Sequence, residues 1–313
     1  MLAEPKRSVI LFWAMCLIWG ATWIAIKVGV ALVPPILFSG TRFVMAGALL
    51  LAYRWAAGHP ITIQRQDCPR LTVATLFMVT LTYALLFWGA LHVSSGLAAV
   101  IDLSFLPVAL LAFAVALGEE QLHSRRLGAL VLGISGLLLL FGPKAFVGQD
   151  SSTLELWGGA AIALSALIYA AGSVLARPLL RHYPSTLISG HTLLWGGALT
   201  TLAALAFEPG ASDALPPRWN ASAWASWLFL VLGGSIAAYT IYLKLVRDWG
   251  PSRAGAYCFV SPAIAVLLGM IVLNETVTPH EWAGMAIMLA AAWLAIRNAP
   301  AFVPERPMSQ EME

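Results

Sequence analysis

Two residues of opposite charge sit where the chain is otherwise greasy enough to lie in lipid. Asp102 falls in IDLSFLPVALLAFAVALGEE (101–120), and Arg42 falls in PPILFSGTRFVMAGAL (34–49). An ionised side chain at the centre of a bilayer costs roughly 2.5–3.5 kcal/mol on insertion scales, so each needs a reason to be there. Each stands about seven residues into an apolar run entered from the same side, roughly 10 Å below the same boundary at 1.5 Å per residue. Equal depth and opposite sign allow a structural or gating ion pair. Asp102 could instead carry a proton or bind an ammonium group, or the two residues do not meet.

Pro107, in the same run as Asp102, and Pro262 each stand in mid-span. Each removes one backbone hydrogen bond and frees the carbonyl four residues earlier, Leu103 or Cys258. A freed carbonyl can accept from a substrate ammonium and a kink can hinge. In an ordinary membrane helix, neighbouring groups satisfy such a carbonyl instead.

The elements that must position these groups are membrane spans. The 313-residue chain is 60% hydrophobic and 11% charged, against about 25% charged in a usual soluble domain. So few charges cannot cover a soluble surface, and the net charge of +3 carries no nucleic-acid signal. Cys16, Cys68 and Cys258 are odd in number and far apart, with neither disulfide nor metal spacing. Lys6 and Arg7 precede a run of about twenty apolar residues without a small-residue cleavage site, which reads as a retained first span. Ten spans are predicted, at 9–28, 35–54, 71–91, 95–117, 127–143, 157–177, 186–207, 223–246, 252–273 and 281–297, each near the length a bilayer requires. Threaded with the N-terminus inside, the inner segments receive fourteen of the eighteen Lys and Arg residues and the outer ones only Lys27, Lys144 and Arg218. That bias predicts cytoplasmic N- and C-termini.

The chain also repeats itself. Shifted by 150 residues, LIWGATWIAIK (17–27) lies over LIYAAGSVLAR (167–177), and PPILFSGTRFVMAGAL (34–49) over PSTLISGHTLLWGGAL (184–199). A shift of 155 puts Pro107 on Pro262 and Glu120 on Glu275. Five spans per half is an odd number, so the second half is expected upside down, as in secondary transporters that alternate access to a central site. The expected organisation is a first repeat over 1–145, an inverted second over 146–300 and a cytoplasmic tail over 301–313. The same shifts set Thr192 opposite Arg42 and Tyr257 opposite Asp102, neither of them charged.

The segments WGATWIAIK, YALLFWGALHVSSGLAAVI (83–101), LPVALLAFAVALGEE (106–120), LGALVLGISG (127–136) and SRAGAYCFVSPAIAVLLGMIVLNETVTPHEWAGMAIML (252–289) resemble the drug/metabolite transporter superfamily, within it the ten-span EamA-type carriers. The likeness covers nearly the whole chain and is closest in character to the YddG-type amino-acid exporters. It implies an all-α membrane fold of ten helices around a central cavity lined by spans 1, 3, 4, 6, 8 and 9, with no cofactor. Thr22 departs from the family's frequent Asn, and His92 from its Lys or Arg.

On those spans the aromatic and hydroxyl residues Trp19, Thr22, Trp23, Tyr83, Trp88, Tyr169, Tyr239 and Tyr242 are the candidate cavity lining, with helix packing or lipid contact as the plainer role. Trp19 and Trp23, four apart, share a helix face. Trp224, Trp227 and Trp282 fit interfacial belts. At the rims, Lys27 and His92 outside and Arg177 and Arg247 inside could draw in an anionic group, although snorkelling explains most such residues. Glu119 and Glu120 are expected at a helix end facing water, Glu120 and Glu275 capping or bracing turns. Phosphate-loop, HExxH and GxSxG patterns are absent, so no enzyme is expected. The reading is an inner-membrane exporter of small metabolites, amino acids first, through the lipid bilayer and without nucleic acid. Its competitors are a multidrug exporter of lipophilic cations and a channel-like pore.

Overall fold

The computed structural model describes residues 4–145, 153–214, 219–273 and 276–297. Glu275, Arg218, Arg306, the join at 145–146 and the tail 301–313 lie outside the described residues. Among the described residues all regular structure is helical. The helices are α1 (Glu4–Val30), α2 (Pro35–Ala56), α3 (Arg65–Ala90), α4 (Ser95–Ala116), α5 (Ser124–Ala145), α6 (Thr153–His182), α7 (Ser185–Phe207) and α8 (Ala221–Trp249). After the single turn Pro251–Ala254 come α9 (Tyr257–Leu273) and α10 (Pro279–Arg297). Nine of the described helices are long and apolar enough to cross a membrane. The 19-residue α10 is not among them, since it opens on Pro279, His280 and Glu281.

Local chemistry fixes the helix starts. Pro35 stands at the first position of α2, where its missing N–H costs nothing. The Ser94 hydroxyl accepts from the Leu97 N–H at the start of α4, and the Asn220 side chain from the Ala223 N–H at the start of α8. At α2 the cap comes from elsewhere in the chain. The Glu208 carboxylate, just past the end of α7, accepts from the Ile36 and Leu37 N–H groups at 2.8 and 2.7 Å. Glu208→Ala is expected to lower stability by about 1–2 kcal/mol, the upper part of the range for a lost cap. Thermal unfolding in detergent reads this directly, and an unchanged midpoint would exclude the cap.

The outer surface is inverted relative to a soluble protein. Val131, Leu202 and Ile271 are 65%, 62% and 70% exposed, within an apolar belt far larger than a soluble surface tolerates. Four charged side chains of the described residues are buried, namely Arg42, Arg54, Arg177 and Glu281.

The helices pack in matching pairs: α2 with α7, α5 with α10, α1 with α9, α6 with α4, α1 with α8, and α6 with α3. Close approach at α2–α7 rests on Gly47 and Gly197, because a Cβ at Gly197 would stand 2.5 Å from the Val44 backbone nitrogen and one at Gly47 would meet Leu194. At α5–α10, a Cβ on Gly136 or Gly284 would stand 2.8 Å from the other's carbonyl oxygen. Small residues thus let the backbones touch, as membrane interfaces require.

Both α3 and α8 contain a π-helical stretch, Leu76–Leu81 and Leu230–Tyr239. Such wide turns free backbone groups and gather at functional sites. In α3 the Thr82 hydroxyl sits within 2.5 Å of the Phe77 carbonyl and 3.3 Å of the Ser165 carbonyl on α6.

Candidate functional site

Five of the seven tyrosines converge in the interior from α3, α6, α8 and α9. Tyr242 is at the centre, with no exposed surface. Its ring lies 5.5 Å from that of Trp19, 5.8 Å from Tyr169 and 5.8 Å from Tyr257, and Trp19 lies 4.5 Å from Tyr257. Two of the hydroxyls find side-chain oxygen partners, as buried phenols usually do. Tyr242 donates to Ser173 Oγ at 3.0 Å and Tyr239 to Thr192 Oγ1 at 3.3 Å. Trp19 Nε1 donates to the Gly234 carbonyl at 3.2 Å, inside the α8 π-turn, and Thr22 donates to the Trp19 carbonyl at 2.6 Å. The wide turn therefore presents a carbonyl to α1 and sets Tyr239 at its end.

Tyr242→Phe keeps the ring stack and strands the buried Ser173 hydroxyl. It should cost about 1–2 kcal/mol, read as a lower unfolding midpoint. An unchanged midpoint would mean that the hydroxyl pair contributes nothing.

Arg42 reaches this interior from α2. Its guanidinium carbon lies 4.6 Å from the Phe43 ring centroid and 5.7 Å from that of Tyr83, and the two rings touch at 4.6 Å. Arg42 is 5% exposed and its Nε is buried without a hydrogen-bond partner. Asp102, half-buried on α4, is within electrostatic reach of Tyr83, Tyr257 and Cys258. Among the described residues no ion pair joins Arg42 to Asp102. The anticipated pair is not closed: both charges border Tyr83 separately, and the aromatic faces take the place that a carboxylate would have beside Arg42.

The other predicted residues divide. Trp23 and Trp88 are 43% and 41% exposed. Among the described residues no ring contact or hydrogen bond ties either to the tyrosine cluster, and Trp88 meets His92 edge-on at 4.8 Å. Pro107 and Pro262 are buried in α4 and α9. Trp227 does not sit in an exposed belt. It is 6% exposed and donates to Thr41 Oγ1 at 3.2 Å, because α8 turns that face onto α2. Thr192 and Tyr257, noted in the sequence only as the aligned positions of the two charges, both belong to the cluster. The shift that located them was the available signal.

The rim expectation also changes. Arg177 is 3% exposed and donates through Nη1 to the Glu119 carbonyl and carboxylate, both at 2.8 Å, and Arg181 reaches the same carboxylate at 2.6 Å. Arg247 is paired with Asp248 at 2.8 Å. Both arginines expected at the inner rim therefore hold carboxylates of the chain itself. Glu120, expected in water, binds Arg126 at 2.6 Å and accepts from the Ser252 backbone and hydroxyl. A Cβ on Gly250, whose φ is 90°, would collide with Glu120. Lys27 is exposed at the end of α1.

Nine apolar helices enclosing hydroxyls, aromatic rings and two charges define a multi-pass α-helical membrane protein whose chemistry lies within the bundle. The chain belongs to the EamA-like transporter family, whose pattern matches residues 6–142 and 156–297. It is similar to the uncharacterized inner membrane transporter YedA of Escherichia coli K12, 27% identical over 295 residues covering 94% of this chain and 92% of that one. The uncharacterized transporter YoaV of Bacillus subtilis is 25% identical over 266 residues, 85% of this chain and 88% of YoaV. A WAT1-related chloroplastic protein of Arabidopsis thaliana is 26% identical over 279 residues, 88% of this chain and 66% of its own length. A crystal structure at 20% identity superposes with a TM-score of 0.78 over 93% of this chain and 96% of that one, which establishes the shared fold.

Proposed function

We propose that this transporter is an alternating-access carrier of small zwitterions, amino acids with aromatic side chains among them, exported across the inner membrane as by YddG-type carriers. The observation that carries this reading is Arg42, buried beside the tyrosine cluster with its Nε unsatisfied. A substrate carboxylate supplies what that guanidinium lacks, its ammonium suits Asp102, and a flat side chain suits the rings of Trp19, Tyr242 and Tyr257. Buried polar atoms without a partner call for one, and Ser235 and Thr240 on α8 leave two further hydroxyls in that condition.

Ten spans in two inverted halves complete the reading. The twofold match of the family pattern and the matching of helix pairs support it. So do the coincident π-turns of α3 and α8. The inner-membrane setting follows the similarity to YedA, and cytoplasmic termini follow the distribution of Lys and Arg.

An Asp102 free of Arg42 also fits an exporter of lipophilic cations. The uncompensated Arg42 beside Tyr83 opposes a cation, and so ranks this reading second. The test is counterflow in proteoliposomes loaded with an unlabelled amino acid and no proton gradient. Transient accumulation of labelled amino acid, competed by aromatic ones, is expected. Accumulation of a lipophilic cation under a pH gradient, with none of amino acids, would replace this reading by the second.

A further inference from the structure

Away from the tyrosine cluster, a pocket of about 170 Å³ opens between α4, α5, α9 and α10 at the arginine-rich end of the bundle. One wall is cationic, formed by Arg125, Arg126 and Arg253 with His123 and Ser252. The rest of the lining is largely apolar, with Leu111, Leu130, Phe259 and Leu294. Glu120 is the carboxylate that faces this wall, and it is taken by Arg126 at 2.6 Å. Among the described residues no carboxylate pairs with Arg125 or Arg253. The Arg253 guanidinium carbon lies over the Trp249 ring, 4.0 Å from its centroid, and its Nε is buried without a hydrogen-bond partner. On α5, Leu127 and Val131, next in sequence to the lining residues Arg126 and Leu130, are exposed apolar side chains. On α10 Trp293 carries the Arg297 guanidinium at 4.6 Å, an aromatic–basic pair of the kind that marks a membrane interface.

A soluble anion would satisfy the cations and leave the apolar wall wet. An anionic phospholipid satisfies both, because guanidinium forks match phosphate oxygens and an acyl chain covers the leucines. We propose that this pocket binds an anionic phospholipid, its phosphodiester held by Arg125 and Arg253 and its chain laid against Leu130, Phe259 and Leu294. Pro107 forms part of the same lining, so the bound lipid contacts α4 at its proline and would tie carrier motion to membrane composition.

Thermal unfolding of the purified full chain in neutral detergent, followed by tryptophan fluorescence, tests this without transport. Short-chain phosphatidylglycerol is expected to raise the midpoint, while the matching phosphatidylcholine and sodium phosphate leave it unchanged. Arg125→Gln/Arg253→Gln should weaken the apparent affinity for phosphatidylglycerol about tenfold or more, as loss of charge-assisted bonds requires. The exposed Arg125→Gln alone serves if the double variant does not fold, with a smaller loss of affinity. An equal shift from sodium phosphate would show a free-anion site and overturn the lipid assignment. No shift with phosphatidylglycerol, or one that these variants leave unaltered, would overturn the pocket itself.

Discussion

Arg42→Gln is expected to cut amino-acid counterflow about 100-fold while leaving the protein folded. A guanidinium that is 5% exposed has already lost most of its water. Among the described residues no carboxylate compensates it. Two hydrogen bonds from it to a substrate carboxylate, each about 1.5–3 kcal/mol, amount to about 3–6 kcal/mol, hence a factor of about 100 or more. The signs for transport and stability are opposite. Removing an uncompensated charge from the interior relieves desolvation, so the unfolding midpoint should hold or rise as transport falls. Arg42→Lys restores charge without the planar fork and should recover only part of the activity. An amine identical to the amino acid except for its missing carboxylate is the discriminating probe. Its transport should be the same in wild type and in Arg42→Gln. Equal losses for amine and amino acid would remove Arg42 from carboxylate recognition, as would counterflow within about twofold of wild type.

That the interior holds Arg42 and Asp102 was legible because lipid makes unexplained charge expensive, whereas which groups surround them was not. Trp19 and Trp23 show why. Four residues along an α-helix turn about 40° past a full circle. That is enough to place Trp19 against Tyr257 at 4.5 Å and leave Trp23 43% exposed. The π-turns of α3 and α8 leave no mark in composition, since an extra residue in a turn needs no special side chain, yet they help set the placement of Tyr83 and Tyr239. Helix length was another hidden quantity. The span expected to end at Arg177 runs on to His182, carrying Pro178 within the helix and delivering Arg181 as well as Arg177 to Glu119. Glu119 was read as facing water because apolar periodicity reports the burial of helix faces. It says nothing of two helix ends brought together. Gly47 and Gly197, which the shift of 150 aligns, lie in the close contact of α2 with α7.

Glu119→Ala is expected to lower stability by about 1.5–3 kcal/mol, the loss of one charge-assisted carboxylate bond to the buried Arg177, which keeps its bond to the Glu119 backbone carbonyl. Nearly all of it comes from Arg177, because Arg181 is 42% exposed and an exposed pair contributes little. If weaker pairing of that buried charge is the cause, Arg177→Met should recover part of the loss when combined with Glu119→Ala, leaving the double variant more stable than the single one. A carrier that alternates must also open this end, where Glu119 ties the end of α4 to α6 and Glu120 ties α5 to the turn before α9. The ties are few and mostly ionic. They can therefore be exchanged for water at a modest cost, whereas the interlocked glycine backbones of α2 and α7 cannot. In a Cys68→Ser background the remaining thiols, Cys16 and Cys258, are both buried. Glu119→Ala should raise the rate at which a water-soluble thiol reagent reaches Cys258, whose neighbours are the tyrosine cluster. A fall in stability without faster labelling would make the network a static staple. Faster labelling that Arg177→Met/Glu119→Ala preserves while recovering stability would make it a gate, because opening would then follow from the missing tie and not from general loosening of the fold.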